Sequence, residues 1–236
     1  MKNVTNIKEF NEKGFIVLKS PFADKAVDVM YDGFSKDMPL EWWYRSHHPY
    51  DYANDMDIDS GNSQFIPNYG AYNHLNTVMY DIAKSAMYNE EFSYSFHRTC
   101  DDHVKDCACT ECGLRKLLES KEMLEFIKEN TGKDISKPHE LFASWYKKGD
   151  FLTTHTDDVN GKVGFVFNLT KNWIPEYGGL LHIMGDNEVK KVILPKFGYI
   201  TLFDVEKNKS PHFVSEVVVD GIKRLAQEIY KELKYR

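Results

Sequence analysis

The run HTDDVNG at residues 155–161 sets an imidazole and a carboxylate two positions apart, His155 and Asp157, at the end of a strand-like segment. In an extended backbone, residues i and i+2 point to one face. Side chains converging there can share a metal ion, pair with each other, or both face water. Taken alone, such a pair is most often a surface contact or a cap. Metal binding needs a further ligand from elsewhere in the chain.

Two histidines lie downstream, His182 and His212. His212 is the better placed. It follows Ser210-Pro211, opens a late strand, and lies 55 residues beyond Asp157, enough chain to cross a β-sandwich several times and return to the same mouth. His182 is mid-strand in GGLLHIM, where a sheet-facing or solvent-facing role is more natural. Two histidines and one carboxylate holding one face of a metal leave its other positions open, which is the facial triad of non-haem Fe(II) oxygenases. Arg224 comes 12 residues after His212, on the last strand. A buried guanidinium is a planar fork suited to a dicarboxylate. Singly, His212, Arg224 and Gly178-Gly179 read as a surface residue, a surface charge and a turn. In this order and spacing they cease to look independent.

The elements that must position these residues follow from periodicity. Residues 6–22 read as a short amphipathic helix, a stop at Gly14 and an apolar strand from Phe15 to Leu18. Helical spacing runs from Ala23 to Phe34, from Tyr72 to Met87 and from Gly113 to Asn130, with strand-like alternation over Phe92–His97. After Pro138 come eight short apolar runs punctuated by Gly, Pro, Asn and Asp: ELFASWY, FLTTHTD, VGFVFNL, LLHIM, KVILP, YITLFD, HFVSEVV and RLAQEIY. That is the pattern of a jelly roll or another double-sheet sandwich. The expected fold is therefore α+β: a double-stranded β-helix (jelly-roll) core with N-terminal helices packed on one sheet. It forms a single domain over residues 1–236, with a mainly helical part at 1–138 and the jelly-roll core at 139–236.

Residues 38–70 are polar, aromatic and irregular, and loops of that length are usually functional or mobile. Their Trp42, Trp43, Tyr44, His47, His48, Tyr50 and Tyr52 can form a lid over a metal mouth. They can equally pack the helices on the sandwich.

WYKKGDFLTTHTD, then LTKNWIPEYGGLLHI, SPHFV and KRLA, resembles the Fe(II)/2-oxoglutarate-dependent dioxygenases, in the prolyl 4-hydroxylase-like branch. The resemblance covers about residues 140–230, together with the helix–strand opening at Ile7 to Leu18. It implies that His155, Asp157 and His212 hold iron and that Arg224 pairs with the distal carboxylate of 2-oxoglutarate. Tyr146 lies where the family often places a tyrosine near the cosubstrate. Asn168 stands where relatives often carry a tyrosine on the same carboxylate. Lys223, on the opposite face from Arg224, is expected in solvent. The implied activity is a hydroxylase that releases succinate and CO2, with ascorbate as a possible auxiliary reductant. A carboxylate at 157, rather than glycine or alanine, favours hydroxylation over halogenation. The implied substrate is a prolyl residue of a protein or peptide. A free amino acid or other small molecule is the alternative.

Composition narrows the partners. A net charge of −6 and a pI near 5.9 argue against a nucleic-acid groove. No long apolar run is present and the first residues lack the apolar core of a secretory signal, so a cytoplasmic protein without a membrane span is expected. All four cysteines, Cys100, Cys107, Cys109 and Cys112, fall within thirteen residues, near His97 and His103. In a reducing compartment such density suggests metal more than disulfide, with tetrahedral zinc as the candidate. The spacing matches no familiar zinc signature, and a plain reduced loop is the other reading.

Overall fold

The computed structural model describes residues 3–39, 42–49, 69–99, 107–135, 140–157, 162–186, 188–206, 210–222 and 224–230. Tyr50, Tyr52, Cys100, His103 and Lys223 lie outside them.

The chain opens with α1 (Val4–Lys13), ended by Gly14 at φ 82°, whose N–H bonds the Phe10 carbonyl. β1 (Phe15–Lys19) follows, then α2 (Asp24–Asp32), which runs into a wider turn at Gly33–Asp37. β2 is Trp43–His48, α3 Tyr69–Tyr88 and β3 Tyr94–Thr99. Next come α4 (Thr110–Leu118) and α5 (Lys121–Thr131). The one helix expected over 113–130 is thus two. Ser120 caps the second by accepting the Met123 N–H at 3.3 Å, which breaks the axis.

All eight C-terminal runs form strands: β4 (Glu140–Tyr146), β5 (Phe151–His155), β6 (Val163–Asn168), β7 (Leu181–Met184), β8 (Val189–Ile193), β9 (Tyr199–Asp204), β10 (His212–Val214) and β11 (Arg224–Tyr230). Together with β1–β3 they make one antiparallel sheet in the order β1-β9-β6-β11-β4-β3-β5-β10-β7-β8, with β2 beside β3. β9 and β10 are far apart along this path, yet the rings of Phe203 and His212 lie 4.6 Å apart. The sheet therefore curls over on itself.

Both faces of the curled sheet are buried. One set of side chains, including Leu141, Trp145, Phe165, Leu202 and Leu225, meets Phe10, Phe34, Leu118 and Ile127 of the helical side. The alternate set, including Phe142, Tyr146, Val166, Phe203 and Ala226, faces the interior of the curl with Leu181, Val214 and Val217. Period-2 alternation sends successive residues to these two cores, so the strands read as continuous apolar runs.

β2 departs from the loop expected over residues 38–70. Its sequence WYRSHH carries little apolar patterning, and it is held largely by polar contacts. Arg45 Nη2 lies 2.7 Å from Asp150 Oδ1 and 2.9 Å from Ser95 Oγ. Asp150 is fully buried and also accepts the Lys147 N–H at 3.0 Å, with His97 Nδ1 3.6 Å from Oδ2. This cluster ties β2 and β3 to the turn joining β4 and β5. Trp43 stacks on Trp145 at 4.5 Å between ring centroids, so it serves packing rather than a lid.

The same region predicts acid sensitivity. His47 is 1% exposed, and burial, followed by the Arg45 charge, pushes its pKa down to about 4. His97 is lowered too, by burial that outweighs Asp150. Above pH 6.5 both are neutral whether folded or not. Below it the unfolded chain takes up protons that the folded chain refuses, so stability falls as pH drops from 6.5 towards 4. For His47 the full loss is roughly 3 kcal/mol. Urea melts across this range check it: wild type shows the decline, and His47→Gln shows a shallower one.

Candidate metal centre and cosubstrate pocket

His155 ends β5 and His212 opens β10, and the two are register partners across that strand pair. Asp157 lies just past the strand end on the same face. Its Oδ1 is 3.3 Å from His155 Nε2 and its Oδ2 is 3.5 Å from His212 Nε2. One ligand atom from each residue lies within 4.8 Å of the other two. Both imidazoles are fixed by the same local device. His155 Nδ1 is 3.0 Å from the Thr153 carbonyl and His212 Nδ1 is 2.9 Å from the Ser210 carbonyl, each two residues back. A carbonyl only accepts, so each Nδ1 carries the proton and each Nε2 presents a lone pair. His212 is 2% exposed, and burial, then the neighbouring His155, push it down to about 4, leaving it neutral at pH 7. Two imidazole lone pairs and a carboxylate aimed at one point are a donor set for a divalent first-row metal.

Arg224 begins β11 opposite Tyr146 of β4. It is 1% exposed, with its guanidinium carbon 4.9 Å from the Tyr146 ring centre. Its Nε and Nη1 are buried and find no hydrogen-bond partner among the described residues. A buried cation left so is costly unless a ligand supplies the acceptors. A carboxylate matches the fork.

The glycine pair makes room for the Glu216–Val217 backbone at Gly178 and for Val217 and this arginine at Gly179. Gly178 (φ 70°) bridges to Val217, and an added Cβ there would lie 1.9 Å from the Glu216 carbonyl oxygen. At Gly179 (φ 62°) a Cβ would come within 2.8 Å of Val217 and 3.1 Å of Arg224 Cδ. The Trp173 indole N–H bonds the Gly178 carbonyl at 2.8 Å and closes the short turn Pro175–Tyr177. The run NWIPEYGG thus builds the wall behind Arg224.

Residues 141–229 match the model of the 2OG-Fe(II) oxygenase superfamily. Over that stretch the chain is similar to the 2OG-Fe(II) oxygenases. Solved structures that share its fold include the following three. An oxidoreductase of the 2OG-Fe(II) oxygenase family from Burkholderia pseudomallei is 12% identical, over 98% of this chain and 92% of that one, with a TM-score of 0.62. A prolyl hydroxylase from Trichoplax adhaerens, in complex with a hypoxia inducible factor oxygen degradation domain peptide fragment, is 15% identical over 95% and 86%, with a TM-score of 0.57. HygX from Streptomyces hygroscopicus, with nickel, 2-oxoglutarate and hygromycin B bound, is 12% identical over 96% and 86%, with a TM-score of 0.52. No curated protein matches the chain in sequence.

The other residues expected at the site fall as follows. Asn168 is paired in register with Ala226, which puts it on the interior face that Arg224 shares, and its amide donates to the Tyr199 carbonyl at 3.4 Å. His182 stacks on Phe213 at 4.2 Å, on the face of β7 opposite Leu181 and Ile183, away from the metal cluster. His97 turns to Asp150 instead of the cysteines. The thiols of Cys107, Cys109 and Cys112 come together, and burial raises Cys109 and pushes Cys112 up to about 12. Among the described residues, no helix is long and apolar enough to cross a membrane.

Two positions beside the centre escape the motif. Phe203 packs against His212, and Gly164 lies beneath it on β6, where an added Cβ would sit 2.0 Å from the Phe203 ring. A lone glycine inside an apolar strand signals such an approach. Gly164→Ala must push Phe203 towards His212. Expected are a loss of about 1–3 kcal/mol of stability from overpacking and a roughly tenfold or greater fall in metal affinity. Adding Phe203→Leu recovers part of both; metal titrations of the single and double variants read the coupling.

Proposed function

We propose that this protein is an Fe(II)- and 2-oxoglutarate-dependent hydroxylase of the prolyl 4-hydroxylase-like branch, acting on a prolyl residue of a protein or peptide. Its core is a double-stranded β-helix, within one domain spanning residues 1–236. The interleaving of β1–β3 with the eight later strands supports that reading. His155, Asp157 and His212 hold the iron. Arg224, backed by Tyr146, holds the distal carboxylate of the cosubstrate. The observation that carries the assignment is the pairing of a three-donor cluster with a buried guanidinium whose Nε and Nη1 have no partner among the described residues.

Iron with 2-oxoglutarate supplies oxidative decarboxylation to succinate and CO2 and hydroxylation of an unactivated carbon. The chain's own part is positional. The carbonyls of Thr153 and Ser210 lock the two imidazoles in one tautomer. The apolar residues of the curl exclude water from the pocket, and Arg224 fixes the cosubstrate's orientation.

A prolyl substrate is favoured by the rim beside His155. Phe92, 42% exposed, has its ring 5.7 Å from that of His155, and the rings of His48 and Tyr94 lie 4.9 Å and 5.8 Å from Phe92. An open aromatic shelf accepts a pyrrolidine ring and leaves room for a peptide on either side. Protein supplied with Fe(II), ascorbate and 2-oxoglutarate should release succinate and add one oxygen to proline-containing peptides, read by mass spectrometry. Hydroxylation confined to free amino acids or other small molecules would sink the peptide reading and keep the oxygenase. No succinate across the panel would sink both.

A further inference from the structure

Cys107, Cys109 and Cys112 belong to no part of the oxygenase chemistry. Their three sulfur atoms lie within 4.8 Å of one another, all half-buried and none in a disulfide. Sulfurs around one tetrahedral zinc, at about 2.3 Å each, stand nearly 4 Å apart. Sub-ångström adjustments therefore bring these three to one ion.

The base that carries them is well fixed. Cys109 is the N-cap of α4, and its Sγ accepts the Cys112 N–H at 3.4 Å, where serine, threonine, aspartate or asparagine is the usual choice. Behind the sulfurs, Glu111 is completely buried and its Oε1 accepts the Thr99 hydroxyl at 2.8 Å. That hydroxyl accepts the Ala143 N–H at 2.9 Å. Arg115 donates to the Leu141 carbonyl at 3.2 Å, and Leu114 and Leu118 enter the core. The start of α4 is thus bolted to β3 and β4, and a site built on such a base holds its geometry.

We propose that Cys107, Cys109 and Cys112 form a second metal centre, a thiolate site for zinc or a similarly thiophilic divalent ion, separate from the His155/Asp157/His212 cluster. Its role is structural: it clamps the chain where it enters α4. Three sulfur ligands select a soft or borderline ion, whereas the nitrogen–oxygen set of the other cluster suits ferrous iron. One chain then offers two metal sites of different donor chemistry.

The test uses full-length protein purified under reducing conditions. Zinc and iron are counted by elemental analysis in wild type, His155→Ala and Cys112→Ser. Expected is stoichiometric zinc in wild type that His155→Ala retains and Cys112→Ser loses. Cobalt(II) added to zinc-free wild type should give the sulfur-to-metal charge-transfer absorption of thiolate ligation, and zinc should protect the thiols from maleimide labelling. The cobalt spectrum needs no variant to fold. Zinc lost on His155→Ala, zinc kept by Cys112→Ser, or cobalt binding without a thiolate band would each overturn the proposal. None of these outcomes depends on succinate release, so the proposal and the hydroxylase reading can fail separately.

Discussion

If the proposed centre holds iron, Asp157→Ala should abolish iron-dependent turnover of 2-oxoglutarate and leave the metal-free fold intact. The carboxylate lies 3.3 Å and 3.5 Å from two imidazole nitrogens that, in the tautomer set by the Thr153 and Ser210 carbonyls, carry no proton. Without a metal these are acceptor-to-acceptor contacts, so removing the carboxylate relieves repulsion and does not break a bond. In the proposed iron centre the same three atoms are the ligand set. Losing an outer partner of a ligand already costs 10–100-fold in affinity, so losing the ligand itself should cost more than about 100-fold. Thermal melts with and without Fe(II) under anaerobic conditions separate the two effects. At a hundredfold excess over Kd the metal stabilises wild type by about 2.7 kcal/mol. Asp157→Ala should show a metal-free melting temperature at or slightly above wild type and almost no iron-induced rise. A rise equal to wild type would mean that Asp157 is not a ligand.

The grouping of His155, Asp157 and His212 was more legible in the sequence than the shape around it. His155, Asp157, His212 and Arg224 are types whose roles are narrow when they occur in that order. The strands carrying them are apolar enough to be seen. β2 was hidden because WYRSHH is secured through Asp150, 105 residues from Arg45, and no local pattern encodes so distant a partner. The break between α4 and α5 had a local signal in Ser120, a capping residue inside an otherwise helical run. Gly178-Gly179 looked like a plain turn. Its purpose, clearance for the Glu216–Val217 backbone at Gly178 and for Val217 and Arg224 at Gly179, becomes apparent only when those distant residues are placed against it. The thiols were legible as a cluster, but the helix start that holds Cys109 and Cys112 at the right spacing was not.

Arg224→Met should separate binding from folding in the opposite sense to an ordinary core mutation. In wild type the guanidinium is buried against Tyr146 with Nε and Nη1 lacking partners among the described residues, so its desolvation is only partly offset until a carboxylate arrives. Methionine fills similar volume without that charge, and exchanging buried charge for an apolar residue is often neutral or stabilising by about 1–4 kcal/mol. The cosubstrate-free variant should therefore melt at or above the wild-type temperature. Its need for 2-oxoglutarate should rise steeply. Removing one partner of a buried ion pair costs about 3–5 kcal/mol, and each 1.4 kcal/mol is tenfold, so the apparent KM should increase by roughly 100-fold or more. Iron affinity, set by different residues, should not move. Arg224→Lys keeps a charge but not the fork, and should fall between the two. Isotherms for 2-oxoglutarate at saturating metal decide the matter: an unchanged affinity in Arg224→Met would remove this residue from the cosubstrate pocket.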